Sequence, residues 1–389
     1  MKICTILSVI LLLFANMLFA SSKKSGSIKH EQRQIYCLTS AGRENVSIER
    51  GQYGTYLNIA GREKHLSKTK QPMKVEFKND VRNQKTEVFI DGKLFTALIY
   101  PDDMEKQCLY PILTASGKLV TRGYPLHPRP FERTDHPHHI GLWFNFGDVN
   151  GFDFWNNSFA IKPEDKPKYG TIKFKKIISE EPEKGKLVTT SDWVDIKGNV
   201  LLNEETTYIF SGEDNLRVIE RITKLTAVEK VTFTENKEGL LGLRVDRAFE
   251  EPAQKPEKFL DANGIVTEVP VLNNEGVNGI YRNAEGIKGG DVWGKRSAWV
   301  ALRAEKEGEV ITIAILDHHQ NPNYPAWSHA RGYGLFASNN LGGRAFDKDT
   351  TPVKLELEPG EKIIFKHEVV IGGDLDDERI NQMANLFNK

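Results

Sequence analysis

Polar and apolar residues alternate along much of this chain. The alternation is clearest in the segments 74–78, 171–175, 353–357 and 363–371. A period of two places successive side chains on opposite faces, so these segments are predicted to be β-strands with one buried face. Helical periodicity is nearly absent except at the C-terminus, where Ile380, Ala384 and Phe387 recur at helix spacing after the acidic stretch 374–377.

Turn signals separate the predicted strands. Asp91-Gly92 lies between two apolar runs and predicts a two-residue hairpin turn. Lys306–Gly308 predicts a second, looser hairpin, and Pro359-Gly360 separates the last two strands.

Many short strands without intervening helices predict an all-β fold. We expect a large antiparallel β-sandwich with a short C-terminal helix in 373–389. The domain is predicted to span 46–372, with its main body from 73 onward and a strand-bearing prelude in 46–72.

The N-terminus has the pattern of a secretory signal peptide. A basic start, an apolar run over 6–19 and the small residues Ala20-Ser21 predict a signal peptide in 1–20, followed by a flexible tether in 21–45. The apolar run is shorter than the roughly twenty residues of a membrane span, which makes a membrane anchor the weaker alternative. We therefore expect an exported protein, periplasmic or secreted, without a membrane span in the mature chain.

Charge and cysteine content limit the partners. The sequence has 53 basic and 53 acidic residues, which gives no support to nucleic acid or an anionic membrane as a partner. Cys37 and Cys108 remain once the signal peptide is removed, and their spacing leaves a disulfide and two free thiols equally open. Nothing in the sequence determines the oligomeric state.

Seven of the ten histidines fall in two segments, 125–143 and 317–331. Imidazole suits both proton transfer and metal ligation. Pro137 indicates an edge or a loop, and a loop could direct His136, His138 and His139 into one pocket. Three interpretations remain: acid–base work on a sugar, metal binding, or structural histidines. No metal-type motif is present, so no cofactor is predicted, although a divalent metal remains possible.

Aromatic and polar residues surround these histidines. Sugar rings have apolar faces and hydroxyl rims, so aromatic platforms beside carboxylates and amides suit them. The candidate ligand-binding residues are Trp143, Asp148, Asn150, Trp155 and Trp327. The alternative is that these aromatics fill the core of a sandwich.

Two further stretches add candidates. Glu238 could be a general base and Arg244 could hold a substrate hydroxyl or carboxylate, although a solvated ion pair is the alternative. Arg331 could act as a second clamp on an oxygen-rich ligand. His367 shares the apolar face of its strand and is predicted to be a core histidine. Motifs of serine hydrolases, kinases and dehydrogenases are absent.

Several motifs, in order over 105–372, resemble the bacterial PmoA-type family. They include Thr121–Pro125, Asp135–Trp143, Gly147–Trp155, Lys237–Gly239 and Arg331–Ala337. That family is similar to the galactose-mutarotase type of β-supersandwich, which implies a carbohydrate in a cleft across one sheet, with histidines and a carboxylate transferring protons. The sequence departs from the family pattern at Ile140, where Arg is expected, and at Phe146, where His is expected.

Together these observations predict a carbohydrate-active enzyme acting on a glycoside or keto-sugar as a hydrolase, lyase or epimerase. His138 and His139 are the expected acid–base groups, with His136 beside them and Glu238 as partner carboxylate. Arg244 and Arg331 are the expected clamps, and His318 and His329 the second wall. The alternatives are a non-catalytic carbohydrate-binding protein and a metal-dependent sugar enzyme.

Overall fold

The computed structural model describes residues 73–389 and, before them, the backbone of four strands. The chain divides into two compact units, Met1–Pro72 and Met73–Lys389. In the first unit, β1 to β4 form an antiparallel sheet in sequential order: Glu31–Thr39, Gly42–Gly51, Gly54–Ile59 and Arg62–Lys68. The predicted signal peptide, 1–20, lies outside the described residues. The predicted tether, 21–45, contains β1 and the start of β2, and the predicted prelude belongs to the first unit.

The second unit contains eighteen strands and one α-helix. Strands β5 to β13 are Val75–Asp80, Lys85–Ile90, Lys93–Ile99, Cys108–Ile112, Leu142–Phe146, Thr171–Glu181, Lys186–Val194, Val200–Glu213 and Leu216–Ala227. Strands β14 to β22 are Val231–Thr234, Gly239–Arg244, Ile280–Asn283, Trp299–Lys306, Glu309–Asp317, Trp327–Arg331, Leu335–Asn339, Lys354–Leu357 and Lys362–Gly372. Helix α1 is Asp377–Phe387, and short 3-10 helices are Lys166–Lys168, Pro182–Lys184, Arg247–Phe249, Gly289–Val292 and Gly343–Ala345.

Two eight-stranded antiparallel sheets carry this unit. The first sheet has the order β10-β11-β12-β13-β22-β18-β17-β16, and the second has the order β19-β20-β15-β9-β8-β7-β6-β5. Strands β14 and β21 form a small separate sheet. The predicted fold class, an all-β antiparallel sandwich with a short C-terminal helix, is confirmed.

The apolar faces of the two large sheets form one core. The ring centroids of Phe95 and Phe210 lie 6.2 Å apart across this core, and those of Phe144 and Phe365 lie 5.6 Å apart. Because side chains alternate along β9, Trp143 lies on the opposite face of the second sheet from Phe144. This outer face carries the candidate site.

The predicted turns are present. Asp91 and Gly92 have φ of 50° and 75° between β6 and β7, and Glu307 and Gly308 have 51° and 74° between β17 and β18. Positive φ at both central residues matches the twist of the paired strands. The last two strands, separated by Pro359-Gly360 as predicted, lie in different sheets.

Helix α1 packs on the outer face of the first sheet. Ile380, Met383 and Ala384 are buried there against Trp299 and Leu316. The Asp376 carboxylate caps the helix by accepting a 2.8 Å bond from the Arg379 amide, as the acidic stretch predicts. Within the described residues, no helix has both the length and the apolar composition that crossing a membrane requires.

Candidate functional site

The candidate site lies on the outer face of the second sheet. Three strands contribute Trp143 from β9, Arg244 from β15 and His329 from β19. The loop that precedes β9 contributes the other histidines, and its backbone turns back at Pro137, where the His139 amide donates to the His136 carbonyl at 3.0 Å. His136 itself has a φ of 44°, which L-residues rarely adopt outside turns. The predicted loop is therefore present and groups all three imidazoles.

A buried arginine holds this loop in shape. Arg122 donates to the backbone oxygens of Asp135, His136 and His139 at 2.9, 3.0 and 3.2 Å. It also contacts the Asp135 carboxylate at 2.9 Å. A guanidinium has five donors in a fixed fork, so a single side chain can fix several carbonyls at once.

The rings of Tyr333, His136 and His139 are nearly parallel and form a stack. Their centroids form a triangle, in which His136 lies 4.7 Å from Tyr333 and 4.9 Å from His139, and Tyr333 lies 6.3 Å from His139. His139 in turn lies 5.4 Å from Trp143. His138 meets His139 edge-on at 4.3 Å. The stack fixes ring orientation through packing, as a preorganised site requires.

Asp135 joins the loop to the sheet. One carboxylate oxygen lies 2.6 Å from His136 Nδ1, and the other lies 2.6 Å from Arg244 Nη2. Burial raises the pKa of Asp135, but Arg244, the His136 hydrogen bond and Arg122 outweigh burial and hold the pKa well below its usual range. The carboxylate is therefore ionised and orients His136, whose side chain is 40% exposed.

Arg244 fixes the tautomer of His139. Its Nη1 lies 3.2 Å from His139 Nδ1. A guanidinium can only donate, so Nδ1 accepts and the proton of the neutral ring lies on Nε2. Burial, followed by His138 and Arg244, lowers the pKa of His139 well below its usual value, which keeps the ring neutral.

Two other histidines are also neutral at pH 7. Burial, followed by the nearby Lys106, lowers the pKa of His138 to about 2. Burial, followed by Lys237, lowers the pKa of His329 to about 3. Lys106 is itself buried, donates to the His138 carbonyl at 2.8 Å, and has its pKa lowered by burial to about 8. These imidazoles can exchange hydrogen bonds with a ligand, but they carry no charge.

His329 forms a second wall of the site. Its ring lies 6.4 Å from Trp155 and 5.7 Å from Phe346. Glu238 Oε2 lies 3.7 Å from His329 Nδ1. Glu238 and Arg244 do not pair with each other, because Glu238 contacts Lys237 and Arg244 contacts Asp135.

Several buried nitrogens of the site residues have no hydrogen-bond partner among the described residues, and three of them belong to Trp155 and the two histidine rings next to it. These three are His139 Nε2, Trp155 Nε1 and His329 Nδ1. The Trp155 ring links them, since it lies 5.8 Å from His139 and 6.4 Å from His329. Unpartnered buried polar atoms are rare because desolvating them costs free energy, so these three nitrogens are candidates for hydrogen bonds with a ligand.

The three tryptophans are not open platforms. Trp143 and Trp155 are fully buried, and they form the floor beneath the histidines. Trp327 is 3% exposed and lies under the Arg296 guanidinium at 4.7 Å, in contact with none of the site rings. Trp143 and Trp155 belong to the apolar cluster on the outer face of the second sheet, not to the core between the sheets that the alternative describes.

Three other predicted residues lie outside the cluster. His318 packs against Phe387 of α1 at 5.0 Å, so it is not part of the second wall. Asp148 accepts from the Gly151 amide at 3.0 Å, and Asn150 accepts from the Thr232 amide at 2.7 Å. Asp148 therefore stabilises a local turn, and Asn150 joins this turn to β14. His367 is 1% exposed, which confirms it as a core histidine.

Several site residues are absent from the predicted set. Three of them lie within the motifs that resemble the PmoA-type family but were not predicted to be site residues: Arg122, Asp135 and Tyr333. Lys106 carries no sequence signal, because its contact with His138 spans 32 positions. Trp293 and Phe346 are half-buried rings 5.3 Å apart beside His329, and they are better placed than the predicted tryptophans to meet a ligand.

The two residues that depart from the PmoA-type pattern lie in different places, one in the sandwich core and one beside the site. Phe146 faces the sandwich core, 5.7 Å from Phe233, so an imidazole there would not reach the site. Ile140 packs in the cluster around Trp143, where Lys106, Arg122 and Arg244 already supply cations.

Over residues 73–389, no group of three or more His, Cys, Asp or Glu is arranged to hold a metal ion. Cys108 is buried and free.

The sequence matches a family of unknown function, DUF6807, over residues 85–385. The chain belongs to the DUF6807 family. This match includes every residue of the candidate site. No curated protein matches the chain significantly. The PmoA-type family is not shown by these comparisons, so that resemblance stays a prediction.

Solved structures similar to this DUF6807 chain include two α-galactosidases of low identity. The galactosidase domain of α-galactosidase-sucrose kinase AgaSK matches 77% of the chain at 10% identity, with a TM-score of 0.34. The α-galactosidase AgaA from Geobacillus stearothermophilus, in complex with raffinose, matches 88% at 13% identity, with a TM-score of 0.24. The chain spans only 42% and 40% of the lengths of these two.

A galactose mutarotase related enzyme from Lactobacillus acidophilus matches 77% of the chain and 97% of its own length, at 9% identity and a TM-score of 0.28. Galactose-mutarotase-like structures are thus among the neighbours, as the resemblance implied. Likenesses this distant carry no information about the reaction.

Proposed function

We propose that this DUF6807 protein is a carbohydrate-active enzyme with His136 as its acid–base group. The observation that carries the proposal is the Asp135–His136 pair, which lies beside three buried nitrogens without partners among the described residues. A base oriented by a carboxylate next to unpaired hydrogen-bonding groups is the arrangement expected where hydroxyls bind and a proton moves.

The geometry favours His136 over His138 for this role. Asp135 holds Nδ1, which leaves Nε2 to exchange a proton with a ligand oxygen, and 40% of the side chain is exposed. His138 and His139 are neutral and more deeply enclosed. They therefore act as hydrogen-bonding groups that orient hydroxyls.

Glu238 and His329 form a second polar pair on the opposite wall. The carboxylate is 15% exposed and lies within 3.7 Å of the imidazole. In the proposed enzyme this pair is the partner acid or base, so that two proton-transfer groups face one ligand. Hydrolysis, elimination and epimerisation all use such a pair.

A second candidate function is carbohydrate binding without turnover. It is favoured by the burial of His139 and His329, which are 1% and 2% exposed and suit recognition better than catalysis. The two candidates differ in what His136 does, and this difference can be measured.

The deciding experiment compares the wild-type chain with His136→Ala on a panel of glycosides. The enzyme proposal expects turnover to fall by about 10²-fold or more, with an unchanged circular dichroism spectrum. His127→Ala is the matched control, because His127 is an exposed histidine in the same segment whose ring contacts only Tyr110, at 6.2 Å, among the described rings. Wild-type turnover in His136→Ala would contradict the assignment. Glycosides that raise the melting temperature without being converted would favour the binding protein.

Export remains part of the proposal. It rests on the signal-peptide pattern of 1–20, and N-terminal sequencing of the protein from fractionated cells tests it. An intact N-terminus on cytoplasmic protein would contradict it.

A further inference from the structure

The second wall of the site carries a cation without a counter-ion. Arg331 ends β19, is exposed, and forms no ion pair with any residue of 73–389. Its guanidinium lies over the Trp293 ring at 5.3 Å. Stacking on an indole fixes the plane of the guanidinium, and a hydrogen bond joins it to the Tyr333 hydroxyl. A guanidinium has five donors, so others of its fork are left for a ligand.

Lys237 lies beside Arg331 at the edge of the site. Its side chain is 49% exposed and its ammonium contacts the Glu238 carboxylate. Burial and then the charge of Arg331 lower the pKa of Lys237, so the two cations lie close together. Burial, Lys237 and Arg331, in that order, lower the pKa of His329, so both cations lie near the second wall.

The carboxylates around the site have partners other than Arg331. Among described residues, the groups in contact with or next to the four imidazoles include the cations Lys106, Arg122, Lys237, Arg244 and Arg331. The carboxylates that act on these cations include Asp135, Glu238, Asp153, Glu105, Glu132 and Glu250. Asp135 binds Arg122, Arg244 and His136, and Asp153 accepts from the amides of Trp155 and Asn156 at 2.8 and 2.9 Å. Glu238 contacts Lys237, and the other three contact Lys166, Arg129 and Arg133. None of these carboxylates forms an ion pair with Arg331.

We propose that the ligand is an anionic sugar, a uronate, whose carboxylate binds the remaining donors of Arg331 with Lys237 beside it. A guanidinium fork matches the two oxygens of a carboxylate, which favours a uronate over a neutral hexose. The ring hydroxyls would then meet the unpartnered nitrogens of His139, Trp155 and His329. This inference rests on the proposed carbohydrate function and names its substrate class.

The test measures binding of matched sugar pairs to the full chain by isothermal titration calorimetry. The pairs are glucuronate with glucose, galacturonate with galactose, and mannuronate with mannose, each as the methyl glycoside. The proposal expects at least one acid to bind tenfold or more tightly than its neutral partner. Arg331→Gln should remove that tenfold advantage, and raising the salt concentration should reduce it. Lys362→Gln is the control, because it removes the same charge from an exposed position on β22.

The outcomes separate the two proposals. Equal binding of acid and neutral members would overturn the uronate assignment and leave the carbohydrate function intact. An advantage that survives in Arg331→Gln would also overturn it. If the corresponding sugar 6-phosphates bound more tightly than the uronates, the uronate assignment would be overturned in favour of a phosphorylated sugar. If no member of any pair bound, the carbohydrate function would fall together with the inference.

Discussion

The Asp135 carboxylate lies 2.6 Å from His136 Nδ1 and, through its other oxygen, 2.6 Å from Arg244. It therefore connects an accessible imidazole on a loop to a fully buried guanidinium on the second sheet. Arg122 closes the arrangement by holding both the carboxylate and the loop backbone. One carboxylate thus orients the candidate base and is held in place by two buried arginines.

Asp135→Asn is expected to lower the free energy of unfolding by about 3 kcal/mol, because it leaves two buried guanidinium groups without their anion. The side chains of Arg122 and Arg244 are 1% and 0% exposed, so water does not replace the lost charge. Urea denaturation at pH 7 measures the effect. Asp148→Asn is the control, since an amide oxygen can still accept from the Gly151 amide, and it should change stability by less than about 1 kcal/mol. Equal stability of the two variants would contradict the role given to Asp135.

A second prediction concerns the loss of stability in acid. Burial, followed by Lys237, lowers the pKa of His329 to about 3 in the folded chain, whereas the unfolded value is near 6.5. Below pH 6.5 the unfolded chain binds a proton that the folded chain does not, so His329 destabilises the fold increasingly as the pH falls toward 3.

Between pH 7 and pH 4.5, the free energy of unfolding of His329→Gln should therefore fall by about 2 kcal/mol less than that of the wild type. Urea titrations at both pH values measure this difference. His319→Gln, which alters an exposed histidine, should follow the wild type. If His329→Gln and the wild type showed parallel pH profiles, the buried neutral state of His329 would be wrong.

The strands were predictable because alternation reports burial locally. Asp91-Gly92, the terminal helix and the four alternating segments needed only neighbouring residues, and all of them are present. The sequence could indicate that the histidine segments have suitable chemistry for a site, but it could not indicate which histidines lie together in the fold. His318 follows β18 in the first sheet, whereas His329 lies on β19 in the second, so eleven positions of chain lead to opposite sides of the sandwich.

The rest of the site depends on contacts that no local pattern carries. Lys106 reaches the His138 carbonyl, and Arg244 reaches Asp135 from 109 positions away. The tryptophans show the converse case, in which a local pattern predicts site residues that the fold buries. Their aromatic character suits a sugar, but it equally suits the clusters in which Trp143 and Trp155 are fully buried. Exposure, which decides between these roles, is set by the packing of distant strands.

A third prediction uses the close contact between Gly242 and Trp143. These residues are paired across β15 and β9, and a Cβ on Gly242 would lie 2.5 Å from Trp143 Cζ2. Gly242→Ala should therefore cost about 1–3 kcal/mol of stability, because the indole has to move. Since Trp143 stacks 5.4 Å from His139, sugar binding should weaken as well. Gly290→Ala meets no atom within 4 Å and is the control for both measurements. Unchanged stability in Gly242→Ala would contradict the packing described for the floor of the site.

The last prediction distinguishes a ligand-binding indole from a structural one. Trp155 and Trp193 are both fully buried, but Trp193 Nε1 donates to Glu204 at 2.7 Å, whereas Trp155 Nε1 has no partner among the described residues. Replacing each by phenylalanine removes a similar volume, so the difference in stability reports the hydrogen bond. Trp193→Phe should destabilise the fold by about 1–3 kcal/mol more than Trp155→Phe, because it leaves a buried carboxylate with one fewer donor. Sugar affinity, measured by calorimetry, should instead fall about tenfold in Trp155→Phe and stay unchanged in Trp193→Phe. The reverse order in either measurement would remove Trp155 from the site, and with it the link between His139 and His329.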